Sequence, residues 1–481
     1  MIKKSIEKYK GLSKPIKMSL WFLICSFLQK GLSMITTPIF TRIMTENEFG
    51  RFSICLSWLN FFTPLVSLSI AGGFYMRGLV INNEDKNKFT SSMIGLTGTL
   101  CMGGFCIYLV FKKYINVLTE MNTYLFCIIF TQIFFTSIYS FWLNHKRTEY
   151  EYKPIVVLTV LYAVFYPILS IVMVLSSKSN FQVEGRMTAT IGINILLYTG
   201  LLFSMCVKGK QFYNKEYWKQ AIIFSIPLIP HYLSQIVLNQ ADRIMIGKYC
   251  GLAKAGYYSL AYSLAMILLT LNQAVSTSMD PWLYQKIKKN SLVEIKAVTM
   301  PILIIMAVMN LMVITVAPEV LRIFAPPEFS SAVWAIPPIT ASVFFMFMYT
   351  LFTAFQYYYA KTTWVMVASF VGAILNVVLN IMFIPRFGFV AAGYTTLACY
   401  VLYAIAHYYF MCRVCDEKLE GARPYSALQI GIIGLVLIIG SMVMCLLYSY
   451  VLLRYLLVLA MLIFAFVKRK RILAMFSVLK K

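Results

Sequence analysis

What most constrains this chain is a recurrence of apolar runs, each about twenty residues long, divided by short charged connections. Residues 155–176, IVVLTVLYAVFYPILSIVMVLS, contain no charged side chain and no alternation of polar with apolar positions. A helix of about 20 residues crosses the roughly 30 Å hydrocarbon core, and only helices or closed barrels satisfy their backbone groups there. Barrel strands would read as alternating segments, so continuous runs predict helices. Fourteen spans are expected, at 17–39, 52–76, 90–111, 121–143, 155–176, 187–207, 219–241, 256–283, 298–317, 335–359, 363–384, 388–411, 426–447 and 451–467. The expected fold class is therefore an all-α polytopic membrane protein.

Composition agrees. Charged residues make up 13% of the chain, against about 25% in ordinary soluble domains, and the mean hydropathy is +0.74. The formal net charge of +25 does not point to nucleic acid, because the basic residues occupy short connections rather than one folded face. Anionic lipid headgroups are the expected partner of those clusters. Alternate connections carry 30 Lys and Arg on one side and 12 on the other. Such residues accumulate on the cytoplasmic side, which predicts two cytoplasmic termini. The first apolar run is too long for a signal-peptide core and is expected to remain as a span. The eleven cysteines lie mostly in apolar runs, where they pack as small hydrophobes, and the single Cys412-Arg-Val-Cys415 lacks a partner pair for metal. No cofactor or metal is expected.

The stretch NQADRIMIGKYCGLAKAGYYSLA (239–261) has an echo in TRIMTENEFGRFSI (41–54): Arg-Ile-Met recurs at Arg42 and Arg243, and glycine precedes an aromatic and a serine in both. Repeats of this kind mark transporters built from two related halves. Expected boundaries are a six-helix lobe at 1–207, a cytoplasmic linker at 208–218, a second six-helix lobe at 219–411, and two additional helices at 426–467. No connection exceeds about twenty residues, leaving no room for a soluble catalytic domain, and no phosphate loop is present. No catalytic residue is expected.

Candidate functional side chains lie inside the spans. In the seventh, His231, Gln235 and Asn239 recur every four residues and lead to Asp242 and Arg243, drawing a polar stripe along one helix face. The eighth repeats this with Asn272, Ser276 and Asp280; the second carries Ser53, Ser57, Asn60, Pro64 and Ser67 and reaches Gly72-Gly73 and Arg77; the eleventh adds Asn376 and Asn380. Interhelical hydrogen bonding explains such residues one at a time, whereas a shared hydrated cavity explains them together. Lys30 falls near the middle of the first span, where a charge costs about 2.5–3.5 kcal/mol on insertion scales. With Arg42, Arg77 and Arg243 it would make the cavity cationic and suited to an anionic substrate, arginine gripping phosphate through paired donors. His231, Gln235, Asn239, Asp242, Asn272 and Asp280 are the polar or ion-coupling candidates. Tyrosine clusters at Tyr257-Tyr258, Tyr357-Tyr358-Tyr359 and Tyr408-Tyr409 read mainly as interfacial belts.

KGLSMITTPIFTRIMTENEFGRFSI (30–54), FSIPLIPHYLSQIVLNQADRIMIGKYCGLAKAGYYSLAYSLA (224–265) and LNVVLNIMFIPRFGFVAAGYTTLACY (375–400) together resemble the bacterial oligosaccharide flippases of the multidrug/oligosaccharidyl-lipid/polysaccharide exporter superfamily. The resemblance implies two lobes around a cationic cavity of alternating access, in a bacterial cytoplasmic (inner) membrane. The cargo would be undecaprenyl-diphosphate-linked oligosaccharide repeat units for O-antigen or capsule, and the partners a polysaccharide polymerase and chain-length proteins. It implies Lys30, Arg42, Arg77 and Arg243 as the substrate-binding cations, with bending at Pro64, Pro227 and Pro230. A multidrug exporter of the same superfamily would fit the topology as well, although it would be expected to place acidic residues where Lys30 stands. A membrane-embedded polymerase is the remaining alternative, for which the largest outer connection, 318–334, offers few chemical groups.

Overall fold

The computed structural model describes residues 14–82 and 84–467, and among these there is no β-strand. Contacts divide the chain into two units, Met1–Leu233 and Ser234–Lys481. The N-terminal unit contains α1 (Lys14–Ile43), α2 (Glu46–Ser67), α3 (Gly73–Ile81), α4 (Lys86–Thr119), α5 (Thr123–Thr148), α6 (Tyr152–Ser176), α7 (Gln182–Gly209), α8 (Lys215–Ser225) and the first residues of α9 (Ile229–Cys250). The C-terminal unit holds the rest of α9 and then α10 (Leu252–Lys288), α11 (Leu292–Thr315), α12 (Ala317–Phe324), α13 (Ile336–Tyr358), α14 (Thr362–Phe387), α15 (Val390–Lys418), α16 (Ala427–Leu446) and α17 (Val451–Val467). Eleven helical stretches among the described residues are long and apolar enough to cross a membrane, and α17 adds a shorter apolar one. Every expected span coincides with a helix or a helix pair.

Helix starts follow local chemistry. Thr45, Asn122 and Asn214 cap α2, α5 and α8, each side-chain oxygen accepting from a first-turn backbone N–H. The second span is not continuous: α2 ends in Leu68 and Ser69, both in the left-handed region at φ 50° and 48°, and helix resumes as α3 at Gly73. Pro64 lies inside α2, so the interruption falls after the proline rather than at it. Asn144 of α5 donates to the Ala71 carbonyl at 2.7 Å and so satisfies backbone that the break releases. Pro227 lies in a 3-10 turn between α8 and α9, and Pro230 in the first turn of α9, where its missing N–H costs no helix bond.

In the N-terminal unit α7 packs against α4, α5 and α6, and α1 against α6. Its core includes Tyr75, which stacks on Phe89 at 5.7 Å between ring centroids and meets Phe141 edge-on at 4.7 Å. A further lock lies beside the turn joining α1 to α2. Arg51 makes paired bonds to Glu184 of α7 at 2.5 and 3.1 Å, and also reaches Glu48 and the Asn180 carbonyl. Asn122 donates to the same Glu184 at 2.8 Å, while Gln182 bridges Thr45 N–H and the Ile43 carbonyl.

In the C-terminal unit α13 is the central helix, packed by α10, α11, α15 and α16 and buried along most of its length. The last two helices are held on α11: Arg454 of α17, 2% exposed, donates to the Thr315 carbonyl and makes paired bonds to Glu319 at 2.7 and 2.8 Å. Burial alone would push the Glu319 carboxyl up, but the Arg454 hydrogen bonds and charge outweigh it and hold the group below the usual glutamate range. A depressed carboxyl contributes stability above its unfolded pKa, about 4.3, and loses it as pH falls through the lower folded value. The melting-point difference between wild type and Glu319→Gln in detergent should therefore be full at neutral pH and shrink as the pH falls below about 4. A constant difference across that range would contradict the pairing.

Candidate functional site

Within the C-terminal unit the polar stripe of α9 turns inward and meets polar side chains from α10, α14 and α15. Asp242 is its centre and is 2% exposed. Its Oδ2 accepts from the Tyr258 hydroxyl at 2.6 Å and the Thr396 hydroxyl at 2.7 Å; its Oδ1 accepts from the Asn380 amide at 2.6 Å. Asn380 also donates to Asn376 at 3.2 Å and accepts from Thr395, and Asn376 donates to Thr396 at 3.4 Å. One turn earlier on α9, Asn239 accepts from Tyr262 at 3.3 Å and Tyr400 at 3.4 Å; a further turn back, Gln235 donates to Ser369 at 3.1 Å, and Ser369 shares a 2.6 Å bond with Tyr403. A two-turn seam of α9 is thus zipped to its neighbours by amides and hydroxyls.

The donors on Asp242 are all neutral. Arg243, next in sequence, turns away to the Asn239 carbonyl at 2.8 Å and Gln240 at 2.6 Å, its guanidinium 4.4 Å from the Tyr262 ring centroid. Neutral donors orient a carboxylate without cancelling its charge. A proton or a small monovalent cation among the Asp242, Asn376, Asn380, Thr395 and Thr396 oxygens would cancel it. Among the described residues no group of three or more His, Cys, Asp or Glu side chains is placed to hold a metal ion.

Of the other expected site residues, Lys30, Arg42, Arg77 and His231 belong to the N-terminal unit and Asn272 and Asp280 to the C-terminal one. Lys30 belongs to α1, but its side chain lies outside the described residues. Arg42 is exposed at the end of α1 and donates to the Pro38 carbonyl at 2.7 Å. This repeats within its own unit what Arg243 does four residues beyond Asn239, so the sequence echo is also an echo of local structure. Arg77 is exposed on α3 and faces a groove toward α8. His231 belongs to the part of α9 in the N-terminal unit, its ring 6.0 Å from that of Tyr232. Asn272 is buried and donates to the Val343 carbonyl of α13 at 2.8 Å, and half-buried Asp280 takes no part in the Asp242 bonds. Helical spacing grouped Asn272 and Asp280 with the site; packing turns Asn272 to α13 instead.

Several residues of the seam had no strong local signal. Tyr258 reads as an interfacial aromatic, yet it is fully buried against Asp242. Thr395, Thr396, Ser369, Tyr400 and Tyr403 are ordinary span residues in sequence; the i, i+4 pair Asn376 and Asn380 was the visible clue. Equally silent was Arg186 of α7, buried with its guanidinium 3.5 Å from the Phe40 ring centroid and 3.8 Å from that of Phe52.

Among the described residues, many apolar helices in two units, one of them holding a buried ionisable residue, define a polytopic all-α membrane protein. Among solved structures it resembles an inward-facing multidrug resistance MATE family transporter of the MOP superfamily (TM-score 0.64, 11% identity, 82% of this chain and 96% of that one). It also resembles a MOP superfamily transporter from Pyrococcus furiosus (TM-score 0.54, 12% identity, 84% and 96%). At these identities the likeness shows the fold alone.

The chain belongs to the polysaccharide biosynthesis protein family, whose model matches residues 16–286; the MatE model matches 227–382. Sequence relatives include an uncharacterized membrane protein of Haemophilus influenzae, 24% identical over 355 residues covering 72% of this chain and 85% of that one. A protein of the Lsg locus of the same organism is 24% identical over 299 residues, covering 58% and 68%.

Proposed function

We propose that this protein is a flippase that carries undecaprenyl-diphosphate-linked oligosaccharide repeat units across the bacterial cytoplasmic membrane by alternating access, for surface polysaccharide such as O-antigen or capsule. The observation that carries the reading is the polysaccharide-family match over 16–286, which contains Lys30, Arg42 and Arg243. A diphosphate is the anionic group that such cations recognise. Both termini lie in the cytoplasm in this reading, following the lysine and arginine bias.

Asp242 supplies the coupling group. Its charge, held by neutral donors in a buried seam, is relieved by a proton or a monovalent cation, so that loading and unloading that ion favours different conformations. Lys30, Arg42 and Arg243 act on the substrate, and the protein itself makes and breaks no covalent bond. The likeness to multidrug transporters supports a second reading, export of drugs, which the same experiment separates. Deleting the gene should trap complete lipid-linked repeat units on the cytoplasmic leaflet and deplete surface polysaccharide. Wild type should restore it, and a well-expressed Lys30→Ala should not. Unchanged glycolipids with altered drug sensitivity would establish the exporter, and single units on the outer leaflet would establish a polymerase.

A further inference from the structure

Within the N-terminal unit, α3 and α8 enclose a groove of about 530 Å³ lined by both apolar and cationic side chains. Its apolar lining includes Phe74, Ile81 and Ile223, the last two 66% and 62% exposed. Its cations are Arg77, one turn before Ile81 on α3, and Lys219, one turn before Ile223 on α8, both exposed. Neither makes an ion pair with any carboxylate among the described residues. The groove's carboxylate, Glu216, accepts from Gln220 at 2.9 Å, and Arg77 is 5.9 Å from the Phe224 ring centroid.

Location and rigidity add to this. The α3 helix runs toward Glu84 and Asp85 and the lysines Lys86 and Lys88 that open α4; α8 follows Lys208 at the end of α7 and Lys210 just after it. Apolar and cationic side chains therefore meet where spans give way to polar loops, the level at which lipid phosphates lie. The α8 wall is fixed in place: Asn214 caps it, Trp218 donates to the Ser92 carbonyl at 3.0 Å, and Tyr217 packs on Phe89 at 5.2 Å between centroids.

We infer that the α3–α8 groove is a binding site for an anionic glycerophospholipid, with Arg77 and Lys219 on its phosphate and Phe74 and Ile223 along its acyl chain. Charge selects the occupant. Two cations and one carboxylate leave the groove with one net positive charge, which matches a single phosphodiester rather than a diphosphate. The site stands apart from the transport reading and survives its failure.

The test uses the full-length protein purified in detergent and titrated with fluorescent phosphatidylglycerol or phosphatidylcholine. Wild type should bind phosphatidylglycerol at least tenfold more tightly than phosphatidylcholine. Arg77→Gln/Lys219→Gln should lose that preference, whereas Lys208→Gln/Lys210→Gln, equally basic but outside the lining, should keep it. Lys219→Glu alone should reverse the charge balance and weaken phosphatidylglycerol at least tenfold, which keeps the test open if the double variant does not fold. Equal binding of the two lipids by wild type, or an undiminished preference in the groove variants, overturns the assignment.

Discussion

Asp242→Asn is expected to reduce transport at least a hundredfold in protein that still reaches the membrane. The asparagine matches the aspartate in size but carries one acceptor oxygen and one amide donor. Three donors converge on Asp242: the Tyr258 and Thr396 hydroxyls on one oxygen and the Asn380 amide on the other. Either orientation of the new amide sets N–H against a donor, at a cost of about 1–3 kcal/mol per unsatisfied group. Hydroxyl rotation relieves part of it at Tyr258 and Thr396, so folding survives while the charge is gone. A structural role alone would leave the pH and cation dependence of the residual transport intact; a coupling role predicts that this dependence disappears. Undiminished, still ion-dependent transport by a well-expressed Asp242→Asn would refute the assignment. The measurement is translocation rate against pH and sodium concentration, normalised to protein in the membrane.

Glu184→Ala is the second large effect, and it acts on the N-terminal unit's stability. Glu184 accepts both Arg51 bonds and the Asn122 bond, with side chains only 10% and 19% exposed for Glu184 and Arg51. Removing one partner leaves a largely desolvated guanidinium with only Glu48 and the Asn180 carbonyl, a loss of about 3 kcal/mol. The melting midpoint in detergent should fall by several degrees. Arg51→Ala should do the same, and the double variant should be much less destabilised than the sum, because the second change removes the stranded charge. Strict additivity would show that the two side chains do not act as a pair.

The contrast between these two sites explains what sequence could and could not convey. The spans were legible because insertion in a bilayer depends on local hydropathy, and local pattern is what a sequence displays. The α9 half of the Asp242 site was legible for the same reason, since Gln235, Asn239 and Asp242 return to one helix face. Its partners were not: Asn380 and Thr396 lie 138 and 154 residues further on, and which helix faces α9 is decided by packing. Asn272 and Asp280 had the same spacing signal, and Asn272 went to α13 instead. The interruption of the second span also escaped. Pro64 is conspicuous, but the break at Leu68–Gly72 depends on the amide of Asn144, 73 residues away, to satisfy the Ala71 carbonyl. The Arg51 and Glu184 lock spans 133 residues and left no periodic trace at all.

The central claim is that the protein moves a lipid-linked oligosaccharide. The most direct measurement is translocation in proteoliposomes of purified full-length protein loaded with undecaprenyl-diphosphate oligosaccharide, scoring the fraction of sugar that becomes accessible to an impermeant probe on the opposite leaflet. The account predicts rapid exposure with wild type, and exposure no faster than protein-free vesicles with Asp242→Asn. No exposure with wild type, in vesicles that nonetheless transport a cationic drug, would contradict it.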